Sequence, residues 1–292
     1  MAKTFECVPN VSEGRRPDVI AEISRAAASA PGAALIDTQS DASHNRSVLT
    51  LVGTADGVLE AVLRATEVAV ARIDLRSHQG AHPRMGAVDV IPFVPVGDAT
   101  MEDAVLLARR CAQAVWERHR VPSYFYEFAA TTPRRRDLSA VRKGQFEGLL
   151  TSIADPDRRP DVGEARLHPS AGAVAIGARD FLIAYNVNLA TADLKLAERI
   201  ALAVRQRSGG FFGIKALGFA LSESEVQVSM NVVSVRSIPL YRVTEVIRRE
   251  ASAAGVALSS CELVGLAPLA AVAESAAYYL HLDDIDSSQV TW

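Results

Sequence analysis

The chain has 292 residues, 31 Lys or Arg against 34 Asp or Glu for a formal net charge of -3, and 49% apolar residues. That length exceeds what one ordinary core holds and predicts two compact units, while the apolar content excludes a disordered chain. The balanced charge leaves no basic footprint for nucleic acid, so any positive field must be local to a cleft.

A short alternating run at 4–9 predicts a strand. Residues 17–30 follow as a helix, with Pro17 in its first turn and Val19, Ile20, Ile23 and Ala27 on one face; Gly32 stops it. Strands are predicted at 33–37 and 46–53, then an amphipathic helix over 56–73. VDVIPFVPV at 88–96 reads as a strand that Pro92 and Pro95 push toward a sheet edge. Thr100 with Asp103 forms a capping box for a helix over 101–118, and 121–129 reads as a strand. Short helices are expected over 134–149, and the Pro- and Gly-rich stretch 155–177 reads as an ordered loop joining two units.

The order strand, helix, strand, strand, helix, strand then recurs: 181–189, 193–207, 213–221, 225–233, 239–254 and 256–265, with a last helix at 268–280. The fold class is therefore α/β (α+β), with two ferredoxin-like βαββαβ subdomains over 1–178 and 179–292, each a sheet covered by helices. Two such halves can leave a ligand groove between them. The tail DDIDSSQVTW at 283–292 is polar and expected to fray.

Three scattered cysteines, Cys7, Cys111 and Cys261, lack CxxC spacing and fit a reducing compartment. The start MAKTFECVPNVSEG has no secretory pattern, and no window approaches about 18 consecutive apolar residues. The expectation is a cytoplasmic globular protein.

RSHQGAHPRMGAVDV at 76–90 is the most unusual stretch. A loop this polar, shaped by Gly and Pro, positions side chains rather than filling a core. His82 precedes Pro83 and is held extended. From the residues alone it is either a hydrogen-bonded turn histidine or a catalytic one. His78 and His82 are four apart, but Gly80 and Pro83 argue against the helix that a metal pair at that spacing needs. DTQSDASHNRS at 37–47 has the spaced acids of a calcium loop but Ala42 at its sixth position and Val48 at its twelfth, so calcium is rejected. It is either a polar strand connection or a cluster of Asp37, Asp41, His44, Asn45 and Arg46 facing a groove. The glycines of GEARLHPSAGAVAIGAR at 163–179 allow close backbone approach to a ligand, a weak signal alone. Cys7, inside a strand, is expected to be buried and inert.

ECVPNVSEG (6–14), HNRSV (44–48), SHQGAHPRMGAVDVIPFVPV (77–96), RKGQFEGL (142–149), HPSAGAVAIGARDFLIAYNVNL (168–189), KALGFAL (215–221), VQVSMNV (226–232) and CELVGLAPL (261–269) together resemble the formiminotransferase domain of glutamate formimidoyltransferases. The resemblance runs from residue 6 to about 280, and no cyclodeaminase segment is expected. It implies a homodimer with tetrahydrofolate, the co-substrate, lying in a groove between two subdomains; from the residues themselves no metal is expected. His82 falls on the family's catalytic histidine. The folate-contacting loop falls on Gly163, Glu164, Ala165, Arg166, Leu167, His168, Pro169, Ser170, Ala171 and Gly172. Gln39 stands where the family usually carries an acid, with Asp37 and Asp41 retained, and Glu164 stands where it often has proline.

The implied reaction passes a formimino group between 5-formiminotetrahydrofolate and L-glutamate, or from formiminoglutamate to tetrahydrofolate in histidine breakdown. An imidazole with a pKa near about 6.5 suits the proton transfer. Arg46, Arg84, Arg179 and Lys215 are candidates for the substrate carboxylates, because Arg binds carboxylate in a two-pronged manner. Two other readings are a glutamate formyltransferase or 5-formyltetrahydrofolate-salvaging relative, and a non-catalytic folate- or amino-acid-binding module, which the loss of acid at Gln39 favours and the intact AHPRMGA block opposes.

Overall fold

The computed structural model describes residues 3–233, 238–283 and 285, so most of the tail expected to fray lies outside the described residues. The chain divides into two compact units, 1–179 and 180–292.

The first unit opens with an apolar strand broken into β1 (Thr4–Cys7) and β2 (Asn10–Val11). Helix α1 (Pro17–Ala28) starts on Pro17, whose missing N–H costs nothing in a first turn. Strands β3 (Ala33–Asp41) and β4 (Arg46–Thr54) form a hairpin. Helix α2 (Ala55–Arg72) is capped by the Thr54 hydroxyl, which accepts from the Gly57 N–H, and is followed by β5 (Val88–Val96). These strands run in the order β3, β4, β1 with β2, β5, all antiparallel, which is the ferredoxin-like arrangement. Helix α3 (Met101–His119) begins in the expected Thr100–Asp103 capping box and crosses to β6 (Ser123–Glu127). The short helices α4 (Leu138–Val141) and α5 (Gln145–Ser152) follow. Finally β7 (Val174–Ala178) inserts between β5 and β6, parallel to both. Helix α2 touches both α1 and α3, so the three share one face of the sheet. Val58, Ala61, Val62 and Ala65 of α2 and Leu107, Ala108, Cys111 and Val115 of α3 pack into one core with Leu49, Leu51, Ile91 and Phe93. Each such aliphatic side chain removed from water contributes about 1.5–3 kcal/mol before entropy is counted.

Two expectations change. β5 is interior, not an edge. Pro95 lies beyond the last residue paired with β7, and the Pro92 carbonyl accepts from the Val8 N–H, so the N–H that Pro92 lacks faces the break between β1 and β2. The stretch 155–177 is not only a loop: VAIGA forms a strand buried on both faces, and a run that short gives no alternating pattern to read.

The second unit repeats the plan. β8 (Ile183–Leu189), α6 (Leu194–Val204), β9 (Ile214–Ala220), β10 (Val226–Val232), α7 (Leu240–Ala253) and β11 (Leu258–Val264) give the strand order β11, β8, β10, β9. Helix α8 (Leu269–Leu280) lies beside α7. Val187, Leu189, Ile200, Val204, Val228 and Ile247 are fully buried in its separate core.

Candidate active site

Two polar segments far apart in sequence are fastened together in the first unit. The β3–β4 turn places Asn45 in the left-handed region at φ 49°. Its side-chain oxygen accepts from the Gly14 N–H at 2.9 Å, and its amide donates to the Gln79 carbonyl at 2.9 Å. The Ala81 N–H donates to the Ser43 carbonyl at 3.2 Å. Because a carbonyl only accepts, the 3.0 Å contact from His78 Nε2 to the Asn45 carbonyl fixes the proton on Nε2. Gly80 is required by closeness: a Cβ there would stand 2.3 Å from the His44 carbonyl oxygen and 2.9 Å from the Asn45 Cβ. Asn45 is therefore a fastener, with both ends of its amide engaged inside the fold, rather than the substrate contact expected.

Arg84 also takes a different part from the one expected. Its guanidinium donates to both Glu147 oxygens at 2.8 and 2.6 Å, to His78 Nδ1 at 3.2 Å, to the His78 carbonyl at 3.1 Å and to Gln145 Oε1 at 3.4 Å. That commits its whole donor fork, so it braces the 77–84 loop against α5 instead of presenting itself to a carboxylate. Its pairing with Arg84 holds the Glu147 carboxyl below its usual range.

His82 emerges half-buried from this braced loop. Its ring lies edge-on to that of His44, with centroids 6.0 Å apart. His44 is itself held by Asp41, whose carboxylate takes the His44 backbone N–H at 2.8 Å and Nδ1 at 2.6 Å. Burial would raise the Asp41 pKa, but these His44 contacts outweigh it and lower it. Burial first, then the positive charges of Arg46 and Arg142, drives His82 from an ordinary 6.5 down to about 3. The imidazole is thus neutral at physiological pH, with a far weaker hold on a proton than the 6.5 expected.

Arg46, the first residue of β4, donates to the Asn10 side-chain oxygen. Burial and the nearby Arg142 pull its pKa down to about 10. Arg142, just past α4, lies 2.7 Å from Asp89 Oδ2, in ion-pair range but out of line for a hydrogen bond. Asp89 is fully buried and its other oxygen accepts from the Met85 N–H at 2.7 Å. Burial raises its pKa, and Arg142 opposes that rise. Among the described residues, Nε of Arg46 and Nε of Arg142 are both buried without a hydrogen-bond partner.

The remaining candidates lie as follows. Asp37 and Gln39 share a face of β3, with the Gln39 amide donating to Asp37 at 3.0 Å. Gly163 and Gly172 adopt φ of 97° and 69°, and a Cβ would meet the Trp116 ring at 2.7 Å or the Met85 carbonyl at 2.2 Å. Between them Glu164, Ala165, Arg166 and Pro169 are exposed, Leu167 and Ala171 are buried, and Glu164 pairs with Arg166 at 3.3 Å. His168 closes a tight hairpin with Gly172, and its Nδ1 accepts from the Ala171 N–H at 3.0 Å and the Ser170 N–H at 3.4 Å. The Arg179 N–H donates to the Phe93 carbonyl at 3.0 Å, and its charge opposes the burial-driven rise of the Glu6 pKa. Lys215 is exposed on β9 of the second unit. Cys7 and Cys111 are buried, and burial pushes both thiols up, Cys111 to about 12, so neither is a nucleophile. Arg142, Asp89 and Glu147 were missed as site residues; the polar residues inside RKGQFEGL and the lone acid in AVDV were the available signals.

The sequence matches the formiminotransferase domain, N-terminal subdomain, over residues 4–179 and the formiminotransferase domain over 184–289. It is 44% identical to glutamate formimidoyltransferase of Streptococcus pyogenes serotype M1 over 98% of this chain and 96% of that protein, and 43% identical to that of Thermoplasma acidophilum over 98% and 95%. It is also 41% identical to mouse formimidoyltransferase-cyclodeaminase, covering 96% of this chain and 53% of that longer protein.

Proposed function

From the premise that this chain belongs to the formiminotransferase family, we propose that it moves a formimino group between N5 of tetrahydrofolate and the amino nitrogen of L-glutamate, with His82 handling the proton. In the direction toward glutamate, the amine forms a bond to the formimino carbon and the bond from that carbon to N5 breaks. The amine gives up a proton and N5 gains one, so one imidazole that first accepts and then returns a proton balances the reaction. In the opposite direction formiminoglutamate is the donor and the same residue works in reverse.

The observation that most directly supports this reading is the neutral imidazole of His82 on a loop braced at both ends. Asn45 and Gly80 tie the loop to the β3–β4 turn, and Arg84 ties it to Glu147. Much of the rate would come from holding two substrates in register beside that ring. The 163–172 segment is assigned to folate; its two positive-φ glycines support the assignment because each lets the chain pass closer to its neighbours than a side chain permits. A homodimer, a groove between the two subdomains and a cytoplasmic setting belong to the same proposal. Among the described residues no helix is long and apolar enough to cross a membrane.

The test is steady-state turnover of the purified chain with tetrahydrofolate and either formiminoglutamate or formylglutamate. Formiminoglutamate is expected to be the better donor. His82→Ala should lose about 100- to 10,000-fold in kcat while keeping its circular dichroism and melting temperature. Near-normal turnover in that variant removes His82 from the reaction, and a preference for formylglutamate replaces the formimino assignment with a formyl one.

A further inference from the structure

We infer that Arg142 joins Arg46 in a two-guanidinium receptor for the α-carboxylate of the amino-acid substrate, and that buried Asp89 is the residue that holds Arg142 in place. The inference rests on the glutamate reading above and specifies how that substrate is recognised.

The two guanidinium groups come from separate elements, β4 and the end of α4, and reach the same stretch of sheet: Arg46 donates to Asn10 of β2, which pairs with Val90, next to the Asp89 that Arg142 contacts, and both charges act on His82. Their surroundings do not neutralise them. Asp89 is the acid in contact with Arg142, Asn10 gives Arg46 a neutral acceptor, and Asp89 and Asp41 act on Arg46 only through their fields. Two half-buried cations against one contacting carboxylate leave a positive surplus, and desolvated charge is costly unless an anion shares it. Each guanidinium also keeps a buried Nε that no described atom satisfies. The Arg142 side chain is 13% exposed, so it is desolvated yet within reach of a ligand. Arg84, by contrast, has its whole fork committed to Glu147, His78 and Gln145.

Chemistry then chooses between the carboxylates of glutamate. The nitrogen that exchanges its proton with His82 is bonded to the α-carbon, which also carries the α-carboxylate. The γ-carboxylate is three carbons farther along the chain. A receptor that adjoins the proton-handling ring therefore fits the α-carboxylate.

Binding has a consequence for the base. The charged groups that act on His82 are Arg46 of β4, Arg142 just past α4 and His44 of the turn, whose ring is edge-on to it and held by Asp41, while Asp89 of β5 pairs with Arg142. An incoming carboxylate offsets the two cations that weaken His82 as a base. The substrate thereby raises the proton affinity of the group that must deprotonate it.

The test compares L-glutamate with 4-aminobutyrate, which retains the amine and the distal carboxylate but lacks the α-carboxylate. By calorimetry the wild-type chain should bind L-glutamate roughly 10- to 100-fold more tightly. Arg142→Gln should abolish that preference. Because it leaves Asp89 buried without its cation, the paired variant Arg142→Met with Asp89→Asn repeats the test without the stranded charge. Nuclear magnetic resonance of the His82 ring should show its pKa rising when L-glutamate binds to the wild type and staying put with 4-aminobutyrate. Equal affinity for the two ligands in the wild type overturns the inference, as does an undiminished preference in a folded variant. Turnover measured alongside separates this from the reaction assignment. Preference without formimino transfer removes the assignment and supports the receptor; transfer with an unaltered preference in the variants does the reverse.

Discussion

The two units share one chain plan and differ in what they bury. Both run βαββαβ with the same strand order, and both pack helices on an aliphatic core. Yet among the described residues the buried carboxylates and guanidinium, Glu6, Glu13, Asp89 and Arg84, all lie in the first unit, while the buried polar side chains of the second, Asn186, Gln227 and Thr244, carry no charge. The corresponding hairpins tell the same story. The β3–β4 turn is closed over by the 77–84 loop, whereas the β9–β10 turn carries Ser222, Glu223 and Ser224 into solvent. The repeated topology does not by itself fix function, and the proposed site lies where the first copy carries a loop that its turn grips.

Glycine substitutions give the largest expected contrast. A Cβ on Gly80 collides with the His44 carbonyl, and one on Gly218 collides with the Glu198 backbone nitrogen at 2.5 Å. Both should lower the melting temperature. Gly80→Ala should also cut turnover about 100-fold in the fraction that stays folded, because it separates the loop from the turn that positions His82. Gly218→Ala should leave the turnover of its folded fraction close to wild type. Equal losses per folded molecule would erase the functional distinction drawn between the hairpins.

Arg84→Gln comes next. It breaks the Glu147 fork while leaving the His82 side chain intact, and should cost about tenfold in turnover. The stability loss should be only about 1–2 kcal/mol, since the Glu147 side chain is 60% exposed and its share of the pair is screened. A Michaelis constant for glutamate that rises steeply with kcat unchanged would instead return Arg84 to substrate binding.

A smaller effect is expected in acid. The His82 pKa falls from 6.5 in the ordinary state to about 3 in the fold. As pH drops below about 6.5 the unfolded chain takes the proton first, so stability declines from there toward pH 3 and is fully present above that window. Burial also lowers His78, His119 and His168, all in the first unit. His82→Gln should therefore shrink, but not erase, the difference between urea melts at pH 7 and pH 5. Parallel losses in variant and wild type would mean His82 is not desolvated.

The smallest change is expected from Gln39→Asp. It trades a hydrogen bond to Asp37 for a neighbouring like charge on a half-buried strand. Turnover with formiminoglutamate should move by less than about fivefold. A larger gain would give the acid at this position a direct part in catalysis.

The βαββαβ repeat, the capping box at Thr100 and the bounds of β5 could be read from the sequence because each is encoded by residues within one or two turns of one another. The composition of the 76–90 stretch likewise drew attention to the His82 loop, while the resemblance carried by AHPRMGA, not composition, pointed to the histidine itself. β7 escaped notice because a short strand buried on both faces has no period, and Pro92 misled because its missing N–H is excused only by a break in a different strand. The roles of Arg84 and Arg142 escaped for the same reason at longer range. Charge and shape are local properties that the chain states residue by residue. Whether an arginine is spent on Glu147, splinted by Asp89 or left beside an imidazole depends on which distant groups folding brings to it, and that is settled by packing alone.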